Sequence, residues 1–175
     1  MRKVITLSVT LILIGTVTLA QKSMFRETTW GMTKSEVKAN ESRRLLQEKP
    51  RSLYYMDTVN DHKMYVLYKF EGPSNGLNEG QYILNEDPGD VDQYISMFEN
   101  FKSRYTQRFG EPTIDTTLVQ SEEYYNKPTK YKEGLQSGQV RFQTSWVLEN
   151  TEVVMQLWNS GKQMRFAIQF VGKNL

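Results

Sequence analysis

The sequence predicts an α+β fold: one antiparallel sheet of about six to seven strands with two helices on one face, in the order α-β(3)-α-β(4). Three observations carry this. Segments such as Lys63–Glu71 and Gln163–Val171 alternate apolar and polar side chains with a period of two, the mark of strands with one buried face. The stretch from Val91 to Phe109 instead repeats apolar residues at helical spacing. Turn-forming residues separate the segments, at Asn60-Asp61, Gly72 to Gly76, Glu149-Asn150 and Asn159 to Gly161.

The chain opens on a leader. Arg2 and Lys3 precede an uncharged, largely apolar run from Val4 to Thr18, and Thr18-Leu19-Ala20 offers small residues to a signal peptidase. Residues 1–20 are therefore expected to be a signal peptide, cut before Gln21. The run falls short of the roughly 20 apolar residues that cross a bilayer. The sequence has no cysteine, so a lipid-bearing cysteine is excluded. The expected product is an exported protein, periplasmic or extracellular, with no stable membrane anchor after cleavage.

The absent cysteines also exclude disulfides, thiol catalysis and thiolate-bound zinc. Burial alone must hold the fold, and the roughly 155 residues expected to remain of the 175 after cleavage bury enough surface to do so. The sequence holds 22 basic and 20 acidic residues. The leader takes away two basic ones, leaving a balanced chain with no basic footprint for nucleic acid.

Thr33 followed by Glu36 forms a capping box that starts a helix at about Lys34. Val37, Ala39, Leu45 and Leu46 give it a modest apolar face, and Pro50 ends it by Lys49. Strands are predicted over Ser52–Thr58, Lys63–Glu71 and Leu77–Leu84. A long helix follows, capped by Asp87 or Asp90 and stopped by Gly110 and Pro112. Four further strands are predicted over Thr116–Tyr125, Gln139–Leu148, Thr151–Trp158 and Gln163–Val171, with a polar loop across Asn126–Gly138. The expectation is a single domain over residues 21–175, made of two similar halves, about 24–86 and 87–175.

The run Trp30-Gly31-Met32-Thr33-Lys34-Ser35-Glu36-Val37 resembles the W-G-M-[ST]-x-x-E-V motif of a group of uncharacterised exported bacterial proteins. More distantly, the chain resembles the SmpA/OmlA outer-membrane assembly proteins and the beta-lactamase inhibitory protein. Their units carry G-M-[ST]-x-x-x-V at a helix start and G-x-P after a helix, as in Gly110-Glu111-Pro112 here. No G-x-P follows the first helix, and the lipoprotein cysteine is missing. The resemblance implies a tandem helix-plus-sheet fold with a binding or scaffolding role. It carries over no catalytic residue.

The sequence offers no catalytic set. His62 is the only histidine and sits in a predicted turn, with no G-x-S-x-G elbow to serve it. No phosphate-cradling loop and no cofactor motif occurs. Glu86, Asp87, Asp90 and Asp92 surround Pro88-Gly89, in a spacing that departs from the EF-hand pattern and suits an acidic helix start. Glu122 and Glu123 are adjacent, so in a strand they would face opposite ways.

Aromatic residues are the remaining signal. Tyr124, Tyr125, Tyr131, Trp146 and Trp158 are the candidate partner-binding residues, because Tyr and Trp combine contact area with a polar handle. The expected function is an exported, non-enzymatic binding or scaffolding protein that acts through a sheet face or the 124–138 loop. Its partner would be another protein or an envelope component. The alternatives are a carboxylate-based hydrolase and a carrier of a small apolar ligand.

Overall fold

The computed structural model describes residues 25–72, 75–161 and 163–173. The predicted signal peptide, residues 1–20, lies outside the described residues. The described chain is α+β with one antiparallel sheet. Its elements run α1 (Lys34–Asn40), β1 (Leu45–Lys49), β2 (Ser52–Val59), β3 (His62–Glu71), β4 (Gly76–Leu84) and α2 (Val91–Phe109). They continue with β5 (Ile114–Val119), a 3₁₀ turn (Pro128–Lys130), α3 (Tyr131–Gln136), β6 (Val140–Val147), β7 (Thr151–Asn159) and β8 (Met164–Gly172). The eight strands lie in the order β1-β2-β3-β4-β8-β7-β6-β5, so two four-stranded meanders meet through their last strands.

The sheet has eight strands and the described chain three α-helices, against the six to seven and two expected. Helix α1 stops at Asn40, and Leu45–Lys49 pairs with β2 instead of extending the helix. The extra strand wins because Glu41, the C-cap in extended conformation, is held by tertiary bonds from Arg26 and Tyr68. Strand β5 ends at Val119, and Ser121–Tyr125 forms turns rather than strand. Helix α3 lies inside the expected loop, docked by the fully buried Leu135. Asp90, not Asp87, caps α2: its carboxylate accepts from the amides of Asp92 and Gln93, and the Gln93 side chain accepts from the Asp90 amide in return.

One face of the sheet carries the core. Cross-strand register aligns Leu53 with Tyr68, Val66 with Tyr82, Tyr82 with Ile168, and Met155 with Ile168, all of them buried. Helix α2 lays Tyr94, Met97, Phe98, Phe101 and Tyr105 over this face. Val37 of α1 belongs to the same continuous core. The buried aromatic rings contact edge-on or tilted, for example Phe101 on Phe166 at 5.0 Å between centroids.

The Trp30 motif binds the two halves. Thr33 makes its capping box with Glu36. The amide of Gly31, at φ 84°, donates to the Leu77 carbonyl of β4, the Leu77 amide donates to the Met32 carbonyl, and a Cβ on Gly76 would sit 2.8 Å from the Gly31 carbonyl oxygen. The Trp30 indole N–H reaches across to the Thr151 hydroxyl at 2.8 Å, tying this motif to β7.

A short segment before the motif closes one end of the core. Phe25 fills a slot over Gly80. Beside it Arg26 bridges Glu41 and Asp57, each at 2.9 Å, and Tyr68 donates to Glu41 at 2.7 Å. Arg43 binds the other oxygen of Asp57 at 2.8 Å. Burial works to raise the Asp57 carboxyl, but the bonds from Arg43, Arg26 and the Thr58 amide outweigh it and hold that carboxyl below its ordinary value.

The sign of the pH dependence follows. A carboxyl whose folded-state pKa is depressed contributes stability above its unfolded value, about 3.9, and that contribution disappears as pH falls through the folded value. Asp57→Asn is therefore expected to lower stability at neutral pH and to flatten the loss of stability below about pH 4. Urea unfolding of both forms at neutral and acid pH checks this. Parallel curves would contradict it.

Candidate binding face

The second face of the sheet is covered by no described element. Antiparallel pairing sets directly opposed residues on the same side. One row therefore crosses the whole open face as Gln47, Tyr54, Leu67, Gln81, Gln169, Val154, Ser145 and Ile114. A parallel row holds Met56, Tyr65, Ile83, Ala167, Gln156, Gln143 and Thr116. Amide side chains fill the middle, with apolar and aromatic groups around them.

The glutamines are ordered by one another. Gln156 donates to Gln143 at 2.6 Å, and Gln81 donates to Glu79, which also takes Lys69 at 2.8 Å. A shallow depression of about 330 Å³ lies over the centre, floored by Ile83, Val154 and Ala167 and rimmed by Gln81, Gln156, Trp158 and Arg165. Trp158 stands between two arginines. Arg165 is its cross-strand neighbour on β8, and the Arg141 guanidinium lies 5.5 Å from its ring centroid. Among the described residues neither arginine makes an ion pair.

Seven large apolar side chains are exposed among the described residues, and five of them stand on this face: Met56, Tyr65, Ile114, Leu118 and Val147. The opposite face keeps its apolar residues under the helices.

The five aromatic candidates separate. Trp158 is on the open face and partly exposed. Tyr125 is 65% exposed on the turn after β5. Tyr131, at the start of α3, is half-buried and packs against the core. Trp146 and Tyr124 do not reach the surface, which corrects their place among the partner-binding candidates. Trp146 is 1% exposed, under Tyr105 and Phe109, with its indole N–H on the Gly110 carbonyl. Tyr124 is buried against Gly134. The arginines and glutamines of the open face were not among the candidates, although they share strand parity with Trp158 and Tyr65.

The acidic residues around Pro88-Gly89 act singly. Glu86 accepts from the Lys63 amide and lies 2.7 Å from the His62 ring nitrogen. Burial raises the Glu86 carboxyl, but these bonds more than compensate and hold it low. Asp87 accepts from the Tyr94 hydroxyl, Asp90 caps α2, and Asp92 pairs with Lys132. No three His, Asp or Glu side chains converge on a common point among the described residues. Glu122 and Glu123 stand exposed in a turn. No described helix is long and apolar enough to cross a membrane. Compared with protein-family models, with curated proteins and with solved structures, the chain matches none.

Proposed function

We propose that this is an exported, non-enzymatic binding protein that docks a partner protein on the open face of its sheet. The observation that carries the reading is the concentration of exposed apolar side chains there. Eight strands at the usual spacing make a face about 34 Å wide, and about 20 Å of strand length gives ~700 Å². That is close to the ~800 Å² each partner contributes to a standard interface. The composition fits too: aromatic and arginine anchors, apolar patches and few carboxylates. The unpaired Arg141 and Arg165 flanking Trp158 select a partner that presents acidic groups there. The tandem plan implied by the resemblance of the Trp30 motif supports the same role.

A photoreactive amino acid placed at Tyr65 or at Trp158 in the producing cell tests this. Both positions are expected to cross-link the same protein, and Gln107, on the solvent side of α2, is not. Trp158→Ala and Arg165→Glu should each weaken the recovered complex about tenfold or more. No common species from the two open-face positions, or the same species from Gln107, would overturn the reading.

A further inference from the structure

The two free edges of the sheet are built differently. The β1 edge is blunted. A bulge interrupts its pairing between Leu45 and Gln47, Glu48 binds Lys34 and Lys38, and the Lys34 ammonium takes the Lys49 carbonyl at 2.7 Å. The β5 edge has no bulge and no proline within Ile114-Asp115-Thr116-Thr117-Leu118-Val119, and among the described residues a single lysine reaches it, Lys102 of α2 on the Asp115 carboxylate at 3.3 Å.

The phase of the β5 ladder shows which groups are open. The Gln120 amide bonds to the Gln139 carbonyl, directly opposite in the register that pairs Leu118 with Arg141. Antiparallel pairs alternate, so Leu118 and Thr116 turn their backbone groups inward to β6. Asp115, Thr117 and Val119 therefore point their N–H and C=O groups out of the sheet. No described segment covers them.

This row is complementary to itself. Antiparallel pairing with an identical strand, centred on Thr117, sets Thr117 against Thr117 and Asp115 against Val119. Every outward amide and carbonyl of the three residues then finds a partner, and no like charges face each other. Centring on Asp115 would oppose two carboxylates, which disfavours that slip. On the helix side a groove of about 230 Å³ opens beside the edge, lined by Phe98, Tyr131 and Phe142 and by the charged Glu99, Lys102 and Asp115, so the arriving strand meets aromatic and charged surface as well as open backbone.

We propose that β5 pairs with β5 of a second copy across a two-fold axis, joining the two sheets and their open faces into one. The blunted β1 edge stops the pairing there, so the assembly closes as a dimer instead of growing into a fibre. This inference is independent of the partner proposed for the open face.

The test is the mass in solution of the protein as the cell processes it, by sedimentation equilibrium across a concentration series. The unmodified protein should be a dimer. Thr117→Pro removes an outward N–H that the isolated copy does not use, so it should give a monomer with unchanged circular dichroism. The paired variants Val119→Asp and Val119→Lys guard against a folding effect. The first places carboxylates opposite Asp115 and should weaken the dimer about tenfold or more, whereas the second places an ammonium there and should retain it. A wild type that stays monomeric at about 100 μM, a concentration far above a specific dimer's usual dissociation constant, overturns the proposal. A dimer indifferent to all three substitutions overturns it as well.

Discussion

Arg26→Met is expected to destabilise the protein by ~3–5 kcal/mol, the cost of leaving a buried charge without its partner. Methionine keeps most of the volume and the apolar stem, so the loss comes from the charge. The Glu41 side chain is only 2% exposed and that of Asp57 13%, and Arg26 lies between them. Without it, Tyr68 still donates to Glu41 and Arg43 still binds Asp57, but two largely buried carboxylates face each other with no cation between them. The cost should fall when the acids are neutralised together. Arg26→Met with Glu41→Gln and Asp57→Asn should recover part of the loss, because a charge-free cluster no longer needs a cation. Chemical unfolding of the single and triple variants measures both. A single-variant loss below about 1 kcal/mol, the range of exposed pairs, would show that solvent already screens the cluster.

Gly80→Ala should cost nearly as much, for a steric reason. A Cβ at this position would lie about 2.2 Å from the Phe25 ring, in a fully buried slot. The ring has no room to yield, since it also packs against Tyr82, Phe170 and Tyr68 at 5.0, 5.1 and 5.3 Å between centroids. The alanine therefore evicts Phe25, and the loss should approach the ~3–5 kcal/mol of deleting a buried phenylalanine. Phe25→Ala should cost a similar amount. The two changes damage one contact, so the double variant should be no worse than about either single one. A double-mutant cycle that proved additive would show that Phe25 keeps its slot in Gly80→Ala.

These sites differ in how far the sequence exposes them. The alternation in β3 and β8, the Thr33 box and the acidic start of α2 are local signals, and the fold uses them as written. Strand β1 has no such signal. Four of its five residues are exposed, so only pairing with β2 defines it. Helix α3 is anchored by the buried Gly134 and Leu135, in a polar stretch whose Pro128, Gly134 and Gly138 read as loop. Phe25 stands alone ahead of the Trp30 motif, and its importance depends on a glycine 55 positions away.

The two tryptophans show what strand parity adds. Trp146 shares its side of β6 with Thr144 and Phe142 and lies opposite Val153, under α2. Trp158 shares its side of β7 with Gln156 and Val154 and lies opposite Arg141. The residue opposed across the ladder, apolar Val153 against charged Arg141, distinguishes the core tryptophan from the surface one. Residue type alone treats them alike.

The meeting of β4 with β8 has a consequence for the order of events during synthesis. The eighth strand to leave the ribosome occupies the middle of the sheet, bonded to β4 on one side and β7 on the other. Until residues 164–172 are available, the first meander ends in an unsatisfied β4 and the second has no strand to join it. Contacts across so long a stretch of chain form slowly, because a large loop must close before they stabilise anything. The pairing that unites the two meanders is therefore the last to become possible as the chain is made.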